Sequence, residues 1–207
     1  RKDYERFKRE FSSSQYDIFS LETNKEYFNN FIKVVDNQTI ITDNRNRKTY
    51  SSGIFIDIFP YDRIDDLKAV DKTYQLESFK LLSFSKHKNI VYKDSLIKDL
   101  IRTFFWVVLS PISPRFFAYK IDKVIQEYTR PNGKYECLLG SKLKEQEVFE
   151  TGIFEDVIDA EFEGHTFPIP KEYDRLLRQY YGDYLTLPPM EKQTNPHELD
   201  VYLKEEE

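Results

Sequence analysis

The stretch Gly53-Ile54-Phe55-Ile56-Asp57-Ile58-Phe59-Pro60-Tyr61-Asp62 sets a carboxylate in the middle of an apolar run. Read at a period of two, Ile54, Ile56 and Ile58 share one face of a strand and Phe55, Asp57 and Phe59 the other. Both faces are then apolar, and a buried strand is expected. An unpaired carboxylate in such a place costs several kcal/mol, so Asp57 needs a basic partner, hydrogen-bond donors or a metal ion. It is either a structural acid tying down a neighbouring loop or a site residue.

The 207-residue length suits one sizeable core, and two independent domains are not expected. The net charge of -5 comes from intermixed signs, which argues against nucleic-acid binding through a continuous basic surface. Aromatic residues make up 16% of the chain, enough to fill the core and also to line a pocket for a cation or a sugar. Cys137 is the one cysteine, so there is no disulfide framework and a reducing compartment is the simpler assumption. No base partner for it as a nucleophile is evident. The chain opens at Arg1-Lys2-Asp3 without a Met, so its start says little about a leader peptide.

Periodicity and breakers give the coarse order of elements. A helix spans Arg1 to Phe11, and strands are expected at Tyr16 to Leu21, Ile32 to Asp36 and Thr39 to Thr42. Asp43-Asn44-Arg45-Asn46-Arg47-Lys48 is a basic loop, either solvated or able to hold phosphate oxygens through Arg47. Asp65-Asp66 starts a long helix reaching about Lys88, where His87 reads as a helix-terminal surface residue. The apolar helix Leu96 to Ile112 is too short to cross a bilayer. It is either buried or lies in a membrane interface with Trp106 and Phe105 dipping into lipid, and burial is the expectation. A further helix runs from Arg115 to Arg130, strands follow at Tyr135 to Leu139 and Val157 to Phe162, and Tyr173, Leu176, Leu177 and Tyr180 share a face of the last helix. Helices and strands mix without regular alternation, the pattern of an α+β fold with a mixed sheet.

Four ordered segments together resemble the LicD family of phosphocholine transferases, to which fukutin and fukutin-related protein are distantly similar. They are Arg1 to Phe7, Lys33 to Thr39, Gly53 to Asp62, and Phe167 to Tyr173 with Tyr181 to Pro189. The resemblance implies a nucleotidyltransferase-like fold across 1-207, with a helical insertion at 65-131 and C-terminal strands, helix and tail at 132-207. It also implies an Mg ion held by acids from two places. One is Asp57, as metal ligand and catalytic residue; the other is an aspartate pair upstream of Arg1, so the N-terminal part of the family fold is absent from this sequence.

Softer implications fall on Lys33 and Asp36, contacting donor phosphate and orienting a ligand or forming an ion pair between strands. Asp62 is either a supporting group or a turn residue, and Tyr181, Asp183 and His197 either close over an acceptor sugar or dock the last helix. The implied reaction moves phosphocholine from CDP-choline to a sugar hydroxyl of a lipid-linked glycan of the teichoic acid type, releasing CMP. The enzyme then works in the cytoplasm at the inner face of the membrane, with peripheral membrane contact through Phe104 to Pro111. Ribitol phosphate, glycerol phosphate or phosphoethanolamine are alternative cargoes, and a non-catalytic glycan- or partner-binding module is the alternative class. Phe55, Phe59 and Tyr61 are the aromatic candidates for a choline cage.

Overall fold

The computed structural model describes residues 1–43, 46–193 and 199–204. Helix α1 (Lys2–Glu10) leads to strands β1 (Tyr16–Phe19), β2 (Ile32–Asp36), β3 (Thr39–Asp43), β4 (Phe55–Ile58) and β5 (Asp62–Ile64). Helices α2 (Lys68–Phe84), α3 (Leu96–Leu109) and α4 (Pro114–Tyr128) follow. Strands β6 (Tyr135–Cys137), β7 (Val148–Glu150), β8 (Val157–Phe162) and β9 (His165–Pro170) precede α5 (Tyr173–Tyr181) and β10 (Leu199–Leu203).

This is an α+β chain, but its strands form several small sheets rather than one mixed sheet. The described ladders run β1-β2-β4, β10-β3, β5-β6-β7 and β8-β9, and each is antiparallel. Short connections explain much of this, since a tight turn can only return the chain antiparallel. The β8-β9 hairpin is the clearest case. Glu163 and Gly164 both take positive φ, 49° and 77°, as a two-residue turn matching strand twist requires.

Local chemistry sets the helix limits. Asp66 Oδ1 accepts the Lys68 backbone N–H at 2.9 Å before α2 begins, and Pro114 occupies the first turn of α4, where its missing N–H is no loss. Helices α2 and α4 pack together over the β5-β6-β7 sheet. Their shared core contains Ile64, Ala69, Val70, Ile121, Ile125, Cys137 and Leu139. Cys137 is fully buried and its burial pushes the thiol up to about 12, which leaves no reactive thiolate near neutrality.

Asp62 anchors the start of the chain to this core. Its carboxylate, 1% exposed, receives Arg1 Nε at 2.8 Å and Arg1 Nη2 on the second oxygen. Thr129 Oγ1 donates to Oδ1 from the end of α4, and the Arg1 main-chain nitrogen donates to the Tyr61 carbonyl. A forked guanidinium on a carboxylate is the stronger kind of ion pair. Removing one partner of a buried pair strands the other, so Asp62→Ala is expected to lower unfolding free energy by about 3 kcal/mol. Urea denaturation checks this; an unchanged midpoint would show the pair to be dispensable.

Candidate functional site

The site begins with the register of two strands. Pairing of β2 with β4 sets Lys33 directly opposite Asp57. A close approach behind β4 holds that register. A Cβ on Gly53 would lie 2.0 Å from the Asp36 carbonyl oxygen and 2.5 Å from Thr39 Oγ1, so no side chain fits there. The space is used for hydrogen bonds instead. Asp36 N donates to the Ile54 carbonyl at 2.7 Å, and Ile54 N donates to Thr39 Oγ1 at 2.8 Å.

Strand β4 is not buried on both faces. Ile56 is 70% exposed and Ile54 is also exposed, because β4 is the outer strand of its small sheet. The other face carries the chemistry. Lys33 Nζ lies 3.0 Å from Asp57 Oδ1, and the lysine side chain is 8% exposed against 29% for the aspartate. The same ammonium sits 3.0 Å from the centre of the Phe55 ring, so one cation is shared between a carboxylate and an aromatic face. Oδ1 itself is buried and accepts no hydrogen bond.

Beside this pair opens a cavity of about 450 Å³, walled by Asp57, Lys33 and Phe55 together with Phe28, Tyr50 and Phe84. Asn29, Asn46, Lys48 and Ser52 add polar groups to the wall. The aromatic side is locked by ring contacts. Phe28 lies 5.3 Å from Tyr50 and 5.0 Å from Phe84, and Asn29 Nδ2 donates to the Tyr50 hydroxyl at 3.1 Å. This volume suits a drug-sized or nucleotide-sized polar ligand held against apolar walls.

Among the described residues no three His, Cys, Asp or Glu side chains converge on one point. The chain therefore offers a divalent ion one carboxylate here and not a cage. That donor set is compatible with Mg, which commonly takes one or two carboxylates and completes its shell with water and ligand phosphates. Oδ1 of Asp57 is buried against the Lys33 ammonium, and the 29% of the side chain that stays exposed is the part of this carboxylate that could meet such an ion from the cavity.

Other sequence candidates lie elsewhere. Asp36 is a turn residue whose Oδ1 accepts the Gln38 N–H at 2.9 Å, and the ion pair of Lys33 is with Asp57 instead. Arg47 does not face the cavity. Its guanidinium donates to the carbonyls of Ser83 and Ser110 at 2.8 and 2.6 Å, tying the end of α2 to the end of α3. Asp62 belongs to the Arg1 anchor. Tyr181 is 71% exposed, and Asp183 accepts the Thr186 hydroxyl at 2.6 Å. His197 lies outside the described residues, as does Arg45 of the basic loop. Of the aromatic candidates only Phe55 lines the cavity. Phe59 packs on Phe31 at 4.6 Å and Tyr61 on Phe154 at 4.5 Å.

The chain is similar across nearly its whole length to a lipopolysaccharide cholinephosphotransferase LicD of Haemophilus influenzae. Identity is 28% over 218 residues, covering 98% of this chain and 77% of that protein. The likeness supports a LicD-family assignment. No family model matches the chain, and no solved structure matches it. The LicD-like stretches from Lys33 to Thr39 and from Gly53 to Asp62 are the two that build the Lys33–Asp57 wall.

Sequence reasoning overlooked Phe28, Tyr50 and Phe84, whose distance along the chain from Asp57 hides their convergence. It also overlooked Glu147, a buried acid beneath α5. One oxygen of Glu147 accepts the Tyr180 hydroxyl at 3.3 Å and the other has no partner; Tyr180 in turn shares a short hydrogen bond with Tyr61. Burial pushes the Glu147 carboxyl up to about 7, against an ordinary value of 4.5. The native state therefore holds this proton more tightly than the unfolded chain. The stabilisation is present below about pH 4.5 and is lost as pH rises through about 7. Glu147→Gln is expected to remove that component, so thermal melts at pH 5 and pH 8 should differ less for the variant than for the parent. Equal differences would contradict it.

Proposed function

We propose that this chain transfers phosphocholine from CDP-choline to a sugar hydroxyl of a lipid-bearing cell-surface glycan, releasing CMP. The observation that carries the reading is the composition of one cavity wall: a partly exposed carboxylate, the lysine ammonium paired with it and aromatic side chains around a space of about 450 Å³. Each part matches a part of such a donor. Lys33 supplies positive charge for phosphate oxygens. Phe28, Tyr50, Phe55 and Phe84 supply ring faces for a trimethylammonium group, which such faces attract within about 6 Å. Asp57 is placed to hold an Mg ion jointly with donor phosphate oxygens, and that ion would supply charge neutralisation at the phosphoryl group.

In the proposed step the acceptor oxygen bonds to the choline-bearing phosphorus while the bond from that phosphorus to the CMP oxygen breaks. The protein contributes positioning and charge, which is most of what phosphoryl transfer asks of an enzyme. Lys33 moves from its neutralising contact with Asp57 onto the donor phosphates. The pair is thus a resting state in which neither charge is left alone in a half-buried wall.

The name of the Haemophilus protein points to lipopolysaccharide as the acceptor, so a lipid-bearing glycan is the acceptor class proposed here, with teichoic acid precursors a narrower variant. An acceptor of this kind places the enzyme at the inner face of the membrane. No helix among the described residues is long and apolar enough to cross a membrane. Aromatic walls favour choline over ribitol or glycerol, whose hydroxyls need hydrogen-bonding groups instead.

Incubation with CDP-choline, Mg and lipopolysaccharide, read as CMP release, tests the reading. Asp57→Ala is expected to lose about a hundredfold in rate, the scale of removing one well-placed electrostatic group. Lys33→Met is expected to raise KM for the donor. CMP release unchanged in Asp57→Ala, or faster turnover of CDP-ribitol than of CDP-choline, would overturn it.

A further inference from the structure

Helix α3 is arranged inside out. Leu96, Ile97, Leu100, Ile101, Phe104 and Val108 follow the helical period along one arc, and all are exposed, Leu96 to 92% and Phe104 to 63%. The helix has no buried residue at all, against the burial its apolarity suggests. Its polar side faces the protein. Asp99 accepts the backbone N–H groups of Tyr92 and Lys93 at 3.1 and 3.0 Å. Arg102 bridges Asp94 and Asp99, both at 2.7 Å. Trp106 Nε1 donates to the Ser85 carbonyl at 3.0 Å, and the Thr103 hydroxyl meets His87 Nε2 at 3.0 Å. Rolling the apolar arc inward would break these contacts, so its outward display is fixed by the fold.

Charge says what the arc faces. Residues 86–109 hold five basic side chains, Lys86, Lys88, Lys93, Lys98 and Arg102, against the two acids Asp94 and Asp99. That local excess of +3 stands within a chain of net charge -5. An apolar strip edged by cations complements an anionic lipid surface. A second copy of the same face would instead bring like charges together. The 14-residue helix spans roughly 21 Å at 1.5 Å per residue, too short to cross the hydrocarbon layer and sufficient to lie within its boundary.

We propose that α3 docks in the plane of an anionic membrane, its apolar arc at the acyl boundary and the basic residues at the headgroups. This extends the reading of a lipid-bearing acceptor, and its test is read by binding without turnover.

The test is co-sedimentation of the full chain with vesicles of phosphatidylcholine alone and of phosphatidylcholine with phosphatidylglycerol. Binding is expected with the anionic vesicles, weakened by salt as the electrostatic part is screened. Leu100→Glu with Phe104→Glu is expected to cut partitioning by at least about tenfold, since it puts two charges where apolar side chains would enter the acyl boundary. Both positions are exposed, so circular dichroism should show unchanged helicity. Lys93→Gln with Lys98→Gln is expected to weaken binding to the anionic vesicles only. CMP release with a water-soluble glycan acceptor should be unchanged in the apolar variant, which separates loss of docking from failure of the transferase reading. No binding to anionic vesicles, equal binding by the Leu100→Glu, Phe104→Glu variant, or a dimer that sheds neither copy for vesicles would overturn the proposal.

Discussion

A lysine and an aspartate facing each other across two antiparallel strands organise the cavity wall on which the proposed function rests. The register that pairs Lys33 with Asp57 also sets Phe55 under the lysine ammonium and opens both charges to one cavity. It depends on Gly53, where a side chain would collide with the Asp36 carbonyl. A slip of one residue would turn Asp57 to the outer face, bring Ile56 inward in its place and separate the pair. The pair costs little when resting because the charges neutralise each other. The Asp57 carboxylate is not sealed off, since 29% of its side chain stays exposed.

Two ion pairs in the same chain show how surroundings decide a role. Asp62 is sealed at 1% exposure and gripped by the fork of Arg1, which makes it a structural anchor. Asp57 has a single lysine for company and 29% of its side chain in contact with solvent. Sequence placed both acids in one motif, and only burial and geometry assign them different work. Arg47 makes the same point for the basic loop, since its Nη2 ties main-chain carbonyls at the ends of two helices and the side chain does not line the cavity.

The α+β class and the helix at the chain start were legible in the residues, because hydrophobic period is a local signal, and a charge inside an apolar run likewise singled out Asp57 as a residue that needs a partner. The aromatic wall was not, since Phe28, Tyr50 and Phe84 meet only through the fold. Periodicity also misjudged two exposures. It buried both faces of β4, although an outer strand of a small sheet leaves one face to solvent, and it buried α3, whose polar side is the one the protein binds. An apolar stripe states what a surface avoids, not which neighbour covers it. The likeness to the Haemophilus protein and the cavity beside the Lys33–Asp57 pair are the two findings on which the proposed chemistry rests.

The most direct measurement is a calorimetric titration of CDP-choline into the chain with and without Mg, repeated on Asp57→Asn. If the Asp57 carboxylate joins an ion to donor phosphates, binding heat appears with the parent chain when Mg is present and falls away in the amide variant. Equal affinity in parent and variant, with or without Mg, would contradict the role given to Asp57.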